Sequence, residues 1–118
     1  MQIGGKERPL KFGINQTDLF CEVRGIKLKD YYTLLATFET GEYMYGDIRD
    51  LVWSALKDGA RQAGEEFELD RMQVGDLMDE DPAKYISETL EALMGSLPKP
   101  TENGSAKKKK VKTYPSKT

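Results

Sequence analysis

The side chains of this 118-residue chain that could do chemistry are few, and their spacing suits no common reaction. The sequence contains no histidine, which removes the usual general base and the most frequent metal ligand. Cys21 is the single cysteine, so it has no histidine to activate it and no partners for a zinc site. The sequence therefore predicts a protein that is not an enzyme and holds no zinc.

Four acidic residues lie close together at Asp76, Asp79, Glu80 and Asp81, and they prompt a comparison with calcium sites. A helix–loop–helix calcium site needs oxygen ligands at alternate positions, a central glycine and a glutamate at the twelfth position. The acidic run has no such order. Carboxylates that interact with the dipole at a helix start explain it better. We expect no metal and no cofactor.

Charge is divided unevenly along the chain. Residues 1–98 carry 11 lysines and arginines against 19 aspartates and glutamates, whereas residues 99–118 carry 7 lysines against one glutamate. The acidic body does not favour nucleic-acid binding, because phosphates attract clustered cations. The basic end could contact a polyanion weakly or lie along the acidic face of the body. Its lysine run consists of Lys107, Lys108, Lys109 and Lys110.

The chain has the composition of one domain without a membrane partner. No apolar run approaches the ~20 residues of a membrane-spanning helix, and no secretory apolar segment follows Met1. The lone cysteine cannot form an intramolecular disulfide, which fits a reducing cytoplasm.

Apolar spacing predicts a mainly α fold with about five helices in residues 1–98. Residues 1–13 form either a short β-hairpin or an extended arm. Residues 99–118 have too little apolar content to offset the entropy of ordering, so we expect a disordered tail.

The first predicted helix has Asn15 or Thr17 as its N-cap and ends at Gly25, and the second runs from about Lys29 to Glu39. The third helix is the clearest prediction, because its apolar residues recur every three or four positions. We expect it to start at Asp47 and to end at Gly64. Two shorter helices follow, started by Asp70 with Gln73 and by Asp81 with Pro82. The apolar side predicted for the last one contains Ala83, Ile86, Leu90, Leu93, Met94 and Leu97.

Several stretches together carry a resemblance to a known family. They are R-P-L-K-F-G at 8–13, V-R-G-I-K-L at 23–28, D-I-R-D-L-V-W-S-A-L-K-D-G-A-R at 47–61, and then E-E-F-E-L-D and L-M-D-E-D-P. The succession resembles the tail assembly chaperones of long-tailed bacteriophages over roughly residues 8–97. These motifs are packing and capping patterns.

The resemblance implies a non-enzymatic viral protein of the host cell cytoplasm that is absent from the mature virion. Such chaperones bind the long tape measure protein and keep it soluble until the tail tube polymerises around it. In this family ribosomal slippage often makes a longer product, and the lysine run is where such an event would be placed. The alternatives are a small tail-completion or structural protein, or a polyanion-binding factor that acts through its basic tail.

A groove that accepts an amphipathic helix would need exposed apolar side chains on the third and last helices. We expect the partner contacts at Trp53, Leu56, Tyr85, Leu90 and Met94. Trp53 lies at the margin of its apolar stripe, so it either covers the core edge or contacts a partner. The methionines either form an adaptable binding surface or fill the core. Self-association stays open.

Overall fold

The computed structural model describes residues 1–97 and confirms the mainly α fold. Within these residues an antiparallel hairpin precedes five helices. The elements are β1 (Gln2–Ile3), β2 (Lys6–Glu7), α1 (Ile14–Arg24), α2 (Leu28–Thr37), α3 (Tyr45–Ala63), α4 (Arg71–Met78) and α5 (Pro82–Ser96). The tail predicted for residues 99–118 lies outside the described residues.

The first thirteen residues contain a hairpin, so the alternative of an extended arm without pairing is wrong. Ile3 stands opposite Lys6, and the turn between them is Gly4-Gly5, with φ angles of 66° and 82°. Both angles are positive, a backbone region that glycine enters without steric cost. Ile3 is buried in the core, whereas the strands are otherwise polar.

The long helix α3 is the centre of the fold. Its apolar stripe is buried from Ile48 to Ala60, with α1 and α4 packed against it. The chain after the hairpin also crosses α3, because the amide of Lys11 donates to the carbonyl of Ala55 at 3.1 Å. Gly59 permits this approach, since a Cβ atom there would fall on the carbonyl oxygen of Pro9.

Two predicted helix starts are displaced in the structure. Helix α1 begins at Ile14 after Gly13, so neither Asn15 nor Thr17 is its N-cap. Helix α3 begins at Tyr45. Its N-terminus is satisfied from within the first turn, where the Asp47 carboxylate accepts the amide of Met44 at 3.0 Å. Asp47, the N-cap predicted from the sequence, is thus the third residue of the helix, and its carboxylate binds the backbone of the actual N-cap residue Met44.

The other helix ends agree closely with the sequence. Gly25 and Gly64 end α1 and α3 in the left-handed conformation, with φ angles of 67° and 73°. Helix α4 has a reciprocal capping box, in which Asp70 and Gln73 each accept the other's amide at 2.8 Å. Asp81 caps α5, with Pro82 at the first position.

The inward face of α5 is rotated from the predicted one. Its buried residues are Tyr85, Thr89 and Leu93. Ala83 and Met94, which the pattern placed on the apolar side, are exposed. The rotation leaves a half-buried apolar margin on α5, formed by Ile86, Leu90 and Leu97.

Candidate functional site

The five residues predicted to contact a partner do not form one exposed surface. Leu56 is 1% exposed and Tyr85 is 7% exposed, so the expectation that these two side chains are exposed is wrong. Leu56 is covered because α3 is enclosed by its neighbours, and Tyr85 lies on the inward side of the rotated α5. Leu90 is half-buried, and Met94 is 43% exposed.

Trp53 closes the edge of the core. Its indole N–H donates to the backbone carbonyl of Leu69 at 3.3 Å, and the ammonium group of Lys57 lies 5.5 Å from the ring centroid. The indole is half-buried and holds the connection between α3 and α4. Its polar N–H has a partner inside the protein, which favours the core-edge interpretation over a partner contact.

A broad groove of about 730 Å³ lies between α1, α2 and the C-terminal end of α5, and we call it the α1–α2 groove. Three large apolar residues on its lining are unusually exposed. Ile14 is 89% exposed, Tyr32 is 59% exposed and Leu28 is 54% exposed. The other apolar lining residues are Phe12, Ile26, Tyr31, Leu35, Leu93 and Leu97.

Two neighbouring tyrosines of α2 contribute aromatic rings to the lining of the groove. Tyr31 is buried and meets Phe20 edge to face with ring centroids 5.4 Å apart. Tyr32, the next residue, meets Tyr31 edge to face at 5.6 Å but stays largely exposed. Consecutive residues on a helix diverge by about 100°, so one tyrosine anchors α2 and the other extends the groove wall.

Two ionisable groups that line the α1–α2 groove, the Cys21 thiol and the Tyr31 hydroxyl, have raised pKa values. Burial raises the pKa of the Cys21 thiol, and the carboxylates of Asp18 and Asp30 raise it further. Burial also raises the pKa of the Tyr31 hydroxyl, against the opposing effect of hydrogen bonds with Thr17 and Gln16. These two groups are therefore neutral at neutral pH, and the lining also contains the acidic Asp18 and the basic Lys27.

A second groove of about 350 Å³ lies between the start of α3, α4 and the start of α5. We call it the methionine groove, since Met72 and Met78 line it beside Tyr45 and Ile86. Tyr45 is 76% exposed and Met72 is 67% exposed. Its rim includes the carboxylates of Asp76 and Asp79 and the guanidinium of Arg49.

The sequence did not single out Ile14, Leu28 or Tyr32. The sequence contains one indication of them. Ile14 and Leu28 are the first residues of their helices, and an apolar side chain there does not stabilise the helix start, so its presence suggests a contact elsewhere. Tyr32 follows another tyrosine, so one of the pair must lie off the buried face.

Residues 1–97 contain no cluster of cysteine and carboxylate side chains placed to hold a metal ion. Each helix in the described part of the chain is too short or too polar to cross a bilayer. Comparison with family models, with curated proteins and with solved structures finds no match to this chain.

Proposed function

We propose that this protein is a non-enzymatic tail assembly chaperone of a long-tailed phage that binds an amphipathic helical segment of the tape measure protein. The observation that carries the proposal is the α1–α2 groove, an open apolar groove with large exposed side chains along it. Contiguous exposed apolar surface of this kind marks interaction sites in soluble proteins. In this role the protein acts in the host cytoplasm and leaves before the virion is complete.

The shape of the groove supports a helical ligand. Its walls are two helices that meet near Tyr31, and its end is the last turn of α5 with Leu97. Helix-in-groove recognition uses apolar anchors at successive turns of the ligand. Burying the exposed parts of Ile14, Leu28 and Tyr32 would contribute roughly 25 cal/mol per Å² of apolar surface removed from water.

We expect the affinity of the α1–α2 groove for its helical ligand to depend only weakly on salt concentration. Apart from Asp18 and Lys27, the residues that line the groove are mostly apolar, and the Cys21 thiol and the Tyr31 phenol are neutral. Salt screens exposed charges but leaves apolar burial largely intact or strengthens it.

Co-expression tests the proposal. The chain would be produced together with the protein encoded by the long neighbouring gene of the tail cluster, and the soluble fraction would be purified at low and at high salt. The proposal expects a salt-resistant complex that keeps the long partner soluble. Absence of a complex, or a complex that is lost when residues 99–118 are removed, would instead favour the tail-completion or polyanion-binding alternatives.

A further inference from the structure

The methionine groove is an apolar surface with an acidic border, separate from the α1–α2 groove. Two large apolar side chains of its lining, Tyr45 and Met72, are mostly exposed, and Met44, which precedes Tyr45 in the chain, is 72% exposed. Methionine side chains adapt to ligands of different shapes because they are unbranched and polarisable. The surface therefore has the chemistry of a docking site for a segment with a few apolar residues.

The border of this groove carries unbalanced negative charge. Asp76 and Asp79 line it, and Glu80 and Asp81 continue the run. Within residues 1–97, none of these four carboxylates forms an ion pair. Arg49 is the basic residue of the lining, and its guanidinium is already engaged with Asp50 at 2.9 Å. The expected occupant is a basic segment.

The chain itself contains a segment of matching chemistry. Residues 99–118 carry 7 lysines against one glutamate, and Val111 and Tyr114 are set among those lysines. The segment follows directly on the end of α5, whose start lines the methionine groove. Helix α5 is 15 residues long, which corresponds to about 22 Å. The residues from 98 to 110 can span roughly 40 Å when extended, so the basic segment can reach back to the groove.

We propose that residues 99–118 dock intramolecularly in the methionine groove, independently of the function proposed above. Val111 and Tyr114 contact the open apolar side chains, and the lysine run from 107 to 110 faces Asp76, Asp79 and Glu80. Docking in this way covers exposed apolar surface of the free protein and offsets the negative charge at the junction of α4 and α5.

Paramagnetic relaxation in the full chain tests the docking directly. A spin label would be attached to Ser116→Cys in a Cys21→Ser background, and amide signal intensities would be compared with those of the reduced label. The proposal expects loss of signal at Gly46 and Gly75, which line the methionine groove, and retention at Gly13, which lines the other groove. Equal loss at all three glycines, or no loss at Gly46 and Gly75, would overturn it.

A matched pair of charge variants tests the electrostatic part. Asp76→Asn/Asp79→Asn/Glu80→Gln removes three carboxylates from the groove border, and Glu65→Gln/Glu66→Gln/Glu91→Gln removes three exposed carboxylates elsewhere. The first variant, but not the second, should restore the Gly46 and Gly75 signals. Restoration is also expected at about 1 M salt, where the Debye length is about 3 Å. Equal effects of the two variants would contradict the proposal.

A mixing experiment distinguishes the chain's own segment from that of a second copy. Isotope-labelled protein without a spin label would be mixed with spin-labelled protein at natural isotope abundance. The intramolecular proposal expects no signal loss in the mixture. Loss at Gly46 and Gly75 there would overturn it in favour of docking between copies.

Discussion

The Asp50 carboxylate of α3 accepts a hydrogen bond from the guanidinium of Arg71 at 3.0 Å, which fastens α4 to α3. The same oxygen atom accepts from Arg24 of α1 at 3.1 Å, and the other oxygen accepts from Arg49 at 2.9 Å. Asp50 is fully buried, whereas its three partners are partly exposed. One buried carboxylate therefore joins α1, which lines the α1–α2 groove, to α3 and α4, which line the methionine groove.

Replacing this carboxylate should destabilise the fold severely. Asp50→Asn leaves three arginines around a neutral amide, and removing one partner of a buried ionic network costs about 3–5 kcal/mol. Urea denaturation followed by Trp53 fluorescence measures the loss. Lys84→Gln serves as a control, since it breaks an exposed pair with Glu88 at 3.9 Å that is worth at most about 0.5 kcal/mol. Equal stability losses in the two variants would contradict the role given to Asp50.

Alanine substitutions at Gly59 and at Gly95 should change the stability of the fold in opposite directions. Gly59→Ala places a methyl group on the carbonyl of Pro9, and because the obstacle is backbone the cost should reach about 3 kcal/mol or more. Gly95 lies in α5 with open space around it, so Gly95→Ala should stabilise by up to about 1 kcal/mol. Thermal and urea unfolding of both variants checks the pair. A neutral Gly59→Ala would mean that residues 9–11 do not press against α3.

The ion pair between Arg8 and Glu68 should contribute to the loss of stability in acid. Arg8 is buried and donates to the Glu68 carboxylate at 3.3 and 3.0 Å, which lowers the pKa of Glu68 from 4.5 to about 2. Because the folded-state pKa is the lower one, the unfolded chain binds this proton first as the pH falls. The pair's contribution is therefore complete above about pH 4.5 and disappears as the pH falls through about 2.

The loss of stability between about pH 4.5 and pH 2 would be measured from the midpoints of urea denaturation, for the natural chain and for two variants. Glu68→Gln should flatten the acid limb of the stability curve, whereas Glu66→Gln, an exposed neighbour, should leave it unchanged. If Glu68→Gln keeps the full slope, another carboxyl group is responsible.

Cys21 should report on the electrostatics of the α1–α2 groove. Since burial, Asp18 and Asp30 raise its pKa, less thiolate is present at neutral pH and alkylation by iodoacetamide should be slow. Asp18→Asn should accelerate the reaction by lowering the pKa, and Asp76→Asn at the other groove should not. Mass spectrometry of the reaction time course gives the rates. Identical rates in both variants would show that Asp18 does not act on the thiol.

Much of the fold could be predicted from the sequence because local chemistry sets the helix ends. Gly25 and Gly64 adopt the left-handed conformation that favours glycine, and Asp70 and Asp81 cap helices through their own carboxylates. These interactions involve residues a few positions apart. At the starts of α1 and α3 the polar residues predicted to be caps lie inside the first turn or two, so the predicted N-caps were two to four residues too late.

The candidate site could not be predicted in the same way. Leu56 and Tyr32 are both large side chains on amphipathic helices, and the sequence pattern does not show which of them another element covers. Helix α3 lies under α1, α4 and the chain around Pro9, so Leu56 is buried. Tyr32 lies on the groove wall and stays 59% exposed. Exposure of an apolar residue is thus a property of the assembled helices.

The central claim is that the α1–α2 groove holds a helix of the tape measure protein, and one comparison tests it most directly. Leu28→Ser/Tyr32→Ser alters exposed residues of that groove. Met44→Ser/Met72→Ser makes the matched change at Met72 of the methionine groove and at the exposed Met44, which precedes the lining residue Tyr45. Both variants should fold, as checked by circular dichroism, and each would be co-purified with the tape measure protein at high salt. The account predicts that only Leu28→Ser/Tyr32→Ser loses the complex. Retention of the complex by that variant, or its loss only with Met44→Ser/Met72→Ser, would contradict the account.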